Sequence, residues 1–430
     1  MPVLPTPTAG DTAWFVRDRF GMFIHWGLYA LPARHEWVRS RELIDDPYYQ
    51  RYFDHFNPDL FNPREWARAA RTAGMKYFVI TTKHHEGFCL WDSAYTDYKV
   101  THTPWGKDLI AEVVEAFRAE GLRVGFYYSL LDWHHPHFPI DIYHPLRDRA
   151  DAAELNRGRD VRIYAEYMRN QVGELLTRFA PVDVLWTDYS YPGQAYQGMP
   201  GKGRADWESE KLYALIRSIN PRIILNNRLD LANIPADVHT PEQFQPVEWV
   251  KVAGKPVVWE ACQTFSGSWG YHRDETSWKS PEQLIRMLVN TVACGGNLLM
   301  NVGPTARGNL DDRALAALQV YADWIRLHAR AIYNCTASDH TAPADVRYTQ
   351  NGSRLYAHIF AWPFRHLVLP GLAGKVEYAQ LLNDGSELPF EEVGIKTDWH
   401  EQSLPAGSVL LSLPVEKPRV TVPVVELCLK

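Results

Sequence analysis

The chain has 430 residues, with 45 basic against 51 acidic side chains and a formal net charge of −6, a balance that argues against nucleic acid as the main partner. No apolar run approaches the roughly 18 residues of a membrane-spanning helix. The opening MPVLPTPTAGDTAW has neither the charged nor the apolar segment of a secretory signal, so a soluble cytoplasmic protein without a membrane partner is the expectation.

Taken in chain order, short β-branched or aromatic runs alternate with helical patterns as far as about residue 330, the mark of repeated βα units. Strands are predicted at 21–26, 77–82, 123–129, 182–187, 222–226, 257–261 and 297–302. Their YFVITT, VDVLW and RIIL cores are continuous apolar runs, as buried parallel strands should be. Helices are predicted at 63–72, 108–120, 160–179, 208–219, 281–293 and 311–330. In the second, Leu109, Ile110, Val113, Val114 and Phe117 form one stripe, Asp108 caps its start and Gly121 stops it. With the strand count approaching eight, the natural closure is a (β/α)8-like, TIM-type barrel over residues 1–335. After about residue 340 the pattern turns to alternating strands with turn punctuation, including an Asn351-Gly352 hairpin signal and runs at 375–382, 409–413 and 419–429. A small C-terminal β-sandwich over 336–430 is expected, serving as packing support or as a separate carbohydrate-binding unit.

Five scattered cysteines, Cys89, Cys262, Cys294, Cys335 and Cys428, form no CxxC and read as buried thiols rather than a disulfide framework or zinc site. His84-His85 and the run His134-His135-Pro136-His137 are histidine-dense but lack ligand spacing, and HExxH, GxGxxG after a strand, GxxxxGK[ST] and a GxSxG elbow are all absent. No metal and no cofactor is expected. Carboxylate chemistry remains. The 16 Trp and 22 Tyr fit it, because rings with a polar rim stack on the C–H faces of sugars whose hydroxyls need hydrogen bonds.

Barrel active sites are built where strands end. Those ends supply His25-Trp26, His84-His85-Glu86, Tyr127-Tyr128, Trp186 and Asp188, the Asn226-Asn227-Arg228 run, and Glu260; loops add Glu36-Trp37, Asp132-Trp133, Glu242 and residues 269–275. Singly, each reads as an ordinary core, capping or ion-pair residue; converging on one barrel mouth, they make an aromatic-walled polar pocket. Glycoside hydrolysis requires two carboxyl groups at the anomeric carbon. Asp188 closes an apolar strand beside Trp186, and Glu242, Glu260 and Glu275 are candidate partners.

Six collinear segments, FGMFIHWGLYALPARHEW (20–37), YFVITTKHHEGFCLWDS (77–93), VGFYYSLLDWHHP (124–136), PVDVLWTD (181–188), WEACQTFSGSWGY (259–271) and GGNLLMNVGPTARG (295–308), resemble those of the α-L-fucosidases of glycoside hydrolase family 29. The resemblance implies a (β/α)8-like catalytic domain followed by a β-sandwich, and retaining removal of terminal α-L-fucose from a glycan or small-molecule substrate through a covalent fucosyl-enzyme intermediate, without a metal. It implies Asp188 as nucleophile, with His25, Glu36, Trp37, His84, His85, Tyr128 and Trp186 binding or walling the sugar. Branches of the family place the proton donor in different loops, so Glu242 is the first choice and Glu275 the second. Gln263 departs from members that carry an arginine there. The competing readings are a non-catalytic fucose-binding protein and a barrel glycosidase for another sugar; a homo-oligomer is compatible with all three.

Overall fold

In the computed structural model, which describes residues 4–393 and 404–430, the apolar runs become parallel strands β1 (Phe20–Ile24), β2 (Tyr77–Lys83), β3 (Arg123–Ser129), β4 (Val184–Asp188), β5 (Ile224–Leu225), β6 (Glu260–Thr264) and β7 (Asn297–Val302). They pair in the order β6-β7-β1-β2-β3-β4-β5, a curled sheet whose two edges approach each other. The gap is filled without a regular ladder. Residues 238–242 lie between the edges, joined by the single parallel bridges Asn226–Val238, His239–Trp259 and Glu242–Cys262. The segment ADVHTPEQ is polar, and Pro241 has no N–H to donate, so it cannot form a continuous buried strand.

Outside the sheet lie α1 (Pro63–Thr72), α2 (Leu109–Ala119), α3 (Val161–Arg178), α4 (Ser209–Ile219), α5 (Pro281–Ala293) and α6 (Asp312–His328). Their starts are set by local chemistry. Asp108 accepts from Ala111 N at 2.9 Å, and Ser280 and Gln283 form a reciprocal capping box. Alternation along the strands then separates two cores. Phe78, Ile80, Phe126 and Leu185 face the helices, with the Phe78 and Phe117 rings 4.1 Å apart. Phe23, Tyr77, Val79, Tyr127, Val184, Trp186, Ile224, Cys262 and Leu299 fill the barrel, together with Trp14 and Phe15 from the helix Thr12–Asp18. Each fully buried side chain of this size is worth about 1.5–3 kcal/mol, so the interior is a packed plug, and the cavity described below opens at its C-terminal end.

Beyond α6 the strands Thr336–Ala337, Val346–Asn351, Arg354–Ile359, Val424–Leu429 and Val376–Leu381 form one antiparallel sheet, in that order, and His366–Leu369, Val409–Ser412 and Phe390–Glu392 a second. The expected hairpin turns at Gly352-Ser353, with Asn351 paired to Arg354. A separate apolar cluster that includes Leu355, Leu369, Leu411 and Val425 holds the C-terminal strands together. They dock on the barrel through Trp324 Nε1 to Val422 O at 2.8 Å and Thr349 Oγ1 to Ala331 O at 2.7 Å.

Candidate active site

Strand ends and following loops converge on a cavity of 530 Å³ lined by His25, Glu36, Trp37, His84, His85, Tyr127, Trp186, Asp188, Tyr189, Glu242, Gln243, Cys262 and Trp269, among others. That is within the range of about 300–1,000 Å³ that small-ligand sites occupy. Asp188 is the last residue of β4, paired with Ser129, and its carboxylate is 11% exposed. One oxygen accepts from Tyr127 Oη at 2.7 Å and the other from Arg228 Nη1 at 2.7 Å. The second arm of the same guanidinium reaches Glu242 Oε2 at 2.8 Å, and its carbon lies 4.4 Å from the centre of the Trp186 ring. Burial works against the Arg228 charge, but Asp188 and Glu242 outweigh it and hold the group more firmly protonated than a free arginine. One cation therefore bridges two carboxylates that are 54 positions apart in sequence.

Both carboxylates precede a residue in the left-handed region: Tyr189 at φ 82° and Gln243 at φ 53°. For non-glycine residues such conformations cost of order 1–3 kcal/mol. Here they turn the chain so that residues 188 and 189, and likewise 242 and 243, all line the cavity. The Tyr189 ring packs against Trp37 at 5.3 Å, Tyr143 at 5.0 Å and His85 at 5.2 Å, completing an aromatic wall.

The opposite side carries imidazoles that burial keeps neutral. Desolvation pushes His25 down to about 3 against the Asn301 hydrogen bond and takes His84 and His85 well below the usual histidine range, helped at His85 by the Lys83 and Arg228 charges. Their hydrogen-bond partners fix the tautomers. Asn301 donates its amide to Trp269 O at 2.6 Å and presents its oxygen to His25 Nδ1 at 2.6 Å, so His25 carries its proton on Nδ1. Ser129 donates to Leu131 O at 2.7 Å, so its oxygen accepts from His85 Nδ1, also at 2.7 Å. Both residues keep the Nε2 lone pair for an incoming hydroxyl. Among the described residues the buried Nδ1 of His84 has no hydrogen-bond partner. Glu36 accepts from the backbone N–H groups of Trp269 and Gly270 at 3.1 and 2.9 Å. Residue 270 must be glycine here, because a Cβ would sit 2.9 Å from the Tyr29 ring and 3.1 Å from Glu36 N.

Several sequence expectations are corrected. Tyr128 does not reach the cavity: it is fully buried on the helix side of β3, donates to Gln171 Oε1 at 2.8 Å and receives Lys83 Nζ over its ring at 4.4 Å. Alternation puts Tyr127, paired with Trp186, on the inner face instead. Glu275 does not line the cavity either; it accepts from Thr276 N, Ser277 N, Ser277 Oγ and Ser268 Oγ at 2.7–3.1 Å. Burial alone would raise its pKa, but these donors outweigh it and hold the carboxyl down to about 2, the wrong state for a proton donor. Glu260 points inward below the cavity, where Tyr77 Oη and Trp186 Nε1 donate to it and burial lifts it to about 7. Gln263 lies behind the wall, donating to Phe244 O at 3.1 Å. The His134–His137 run is dispersed, with His134 stacked on Tyr98 and His135 against Tyr167. Arg228, Tyr189, Asn301 and Trp269 carry roles the sequence reading did not assign; the signal for Arg228 was its place just after β5, on the list of strand-end residues.

Comparison with known proteins converges on one family. A family model described as Alpha-L-fucosidase matches residues 8–330. The plasma alpha-L-fucosidase of Rattus norvegicus is 30% identical, the match covering 95% of this chain and 88% of that protein. Alpha-L-fucosidase isoenzyme 1 from Paenibacillus thiaminolyticus superposes with a TM-score of 0.91 at 44% identity, covering 97% of this chain and 98% of that one. A GH29 alpha-L-fucosidase from Bacteroides thetaiotaomicron, trapped as a covalent intermediate with 2-fluoro-fucosyl fluoride, gives a TM-score of 0.82 at 28% identity, covering all of both chains.

Proposed function

The chain belongs to the α-L-fucosidase family of glycoside hydrolases, and on that premise we propose that it removes terminal α-L-fucose with net retention, Asp188 acting as nucleophile and Glu242 as acid/base. The observation that carries this reading is the single guanidinium of Arg228 gripping both carboxylates at the cavity, at 2.7 and 2.8 Å. Groups held across the width of one guanidinium suit the separation of about 5–5.5 Å that double displacement requires.

In the first step Asp188 Oδ attacks the anomeric carbon, the bond from that carbon to the aglycone oxygen breaks, and Glu242 gives its proton to the departing oxygen. The configuration inverts and Asp188 becomes an ester. In the second step Glu242, now anionic, takes a proton from water, the water oxygen attacks the same carbon, and the ester bond breaks to return Asp188 as carboxylate. Negative charge thus passes from Asp188 to Glu242 and back. Arg228 touches both, so it faces one carboxylate anion at every stage and needs no rearrangement as charge moves, the condition for preorganised electrostatic stabilisation. The His25 and His85 Nε2 lone pairs and the Glu36 carboxyl take fucose hydroxyls, while Trp37, Trp186 and Trp269 provide apolar faces for the ring carbons and the C6 methyl.

The test is hydrolysis of a panel of aryl glycosides, with the anomeric configuration of the first-formed sugar read by NMR. Cleavage of the α-L-fucoside with α-L-fucose released first is expected; β-L-fucose as the first product would overturn the double displacement. Asp188→Gly should lose activity by at least about 1,000-fold, and azide should restore part of it by yielding the β-fucosyl azide. Near-normal turnover in that variant removes Asp188 from the role.

A further inference from the structure

The cavity is built in two tiers of opposite electrical character. In the deep tier, the charge of Asp188 is already met by Arg228, which also reaches the more exposed Glu242, and Glu36 is met by two backbone N–H groups. The outer tier comes from the segments after β1 and β3, and it contributes Arg41 and Arg147 to the same cavity wall. Arg147 is oriented by its neighbours: Nη1 donates to Ser40 O at 2.9 Å, Ser40 Oγ at 3.1 Å and His144 O at 3.2 Å. Ser40 directly precedes Arg41, so this contact ties the two arginines to one side of the mouth.

Neither guanidinium is hydrogen-bonded to an acid among the described residues, although Arg41 lies near enough to Glu36 to favour its carboxylate. Among the described residues the Arg41 guanidinium contacts only His35 Nε2, at 3.4 Å, while the adjacent Glu42 is taken by Arg34 at 2.7 Å. Arg147 meets Asp148 only at 4.0 Å, through Nε, and Asp148 also accepts from Tyr196 Oη at 2.6 Å. A solvated arginine at random on a surface would carry no message. Two of them, with spare donors and facing one cavity whose interior charges are already satisfied, favour an anion entering after the sugar.

The place of that anion follows from the direction of entry. An exo-acting enzyme seats the terminal fucose at the buried end, against His25, His85 and Asp188, so the rest of the glycan leaves through the mouth, past Arg41 and Arg147. We infer that the mouth is an anion-accepting aglycone site, in which Arg41 and Arg147 receive a sulfate ester or carboxylate carried by the sugar to which fucose is attached. This deepens the fucosidase reading and rests on it.

The experiment compares kcat/KM for matched disaccharides at one linkage the enzyme cleaves: fucosyl-N-acetylglucosamine with and without a 6-O-sulfate, and fucosyl-galacturonic acid beside fucosyl-galactose. The wild-type enzyme should prefer the charged member of at least one pair by about five- to thirty-fold at low salt, and the two arms identify which anion is taken. The ratio should fall towards one in about 0.5 M NaCl and in Arg41→Gln, whereas Arg41→Lys should retain most of it. Ratios near one in both arms for the wild type, or a preference that persists in both Arg41→Gln and Arg147→Gln, would overturn the assignment. Failure to cleave any fucoside would overturn the fucosidase reading, and the aglycone site with it.

Discussion

Replacing Arg228 by glutamine tests the charge-sharing geometry most directly. The side chain is 18% exposed and donates to Asp188 at 2.7 Å and to Glu242 at 2.8 Å, so the variant leaves two carboxylates facing each other with no cation between them. Truncating one partner of a buried, hydrogen-bonded charge pair costs about 2–5 kcal/mol. The reaction keeps one unit of negative charge against Arg228 throughout, so we take about 3–4 kcal/mol as the share felt by the transition state, a loss of roughly 100- to 1,000-fold in kcat/KM. The assay is kcat/KM for 4-nitrophenyl α-L-fucoside, with thermal melting to verify folding. A folded variant with less than a tenfold loss would refute the shared role of Arg228.

The two candidate proton donors separate by leaving group: Glu242→Gln should depress kcat/KM strongly for poor leaving groups and little for 2,4-dinitrophenyl fucoside, which departs without a proton, and equal losses for both would exclude Glu242. Glu275→Gln should keep normal leaving-group dependence but lower stability by about 1–3 kcal/mol as its four acceptor contacts weaken. Because the folded-state pKa of Glu275 is depressed to about 2, its wild-type contribution is present above the unfolded value of about 4.3 and is lost as pH falls towards 2; melting curves of wild type and variant should converge over that window. Tyr127→Phe removes a charge-assisted hydrogen bond to Asp188 and should cost about 10- to 100-fold in kcat/KM. Tyr128→Phe, which loses only the bond to Gln171, should lower the melting temperature with activity nearly intact, and the reverse pattern would invert the strand parity described above.

The identity of the elements was written in the sequence because it depends on neighbours a few residues apart. Apolar runs such as YFVITT make buried strands, the 109–117 stripe makes an amphipathic helix, and Asp108 and Ser280 cap helices whatever surrounds them. The strand-end rule likewise assigns His25, His84, His85, Trp186 and Asp188 to one mouth from the sequence. What tertiary structure alone decided is the partner each polar group finds. Tyr127 and Tyr128 are chemically equal in the chain, and only the β3–β4 register sends one to Asp188 and the other to Gln171. Glu242 and Glu275 are both loop glutamates; one is bridged to the arginine that holds Asp188, and the other is consumed by its own turn. The contacts that decide the tyrosines and join Arg228 to Asp188 span 40 or more positions, and their energies depend on distance and burial, quantities fixed by closure of the barrel rather than by local spacing.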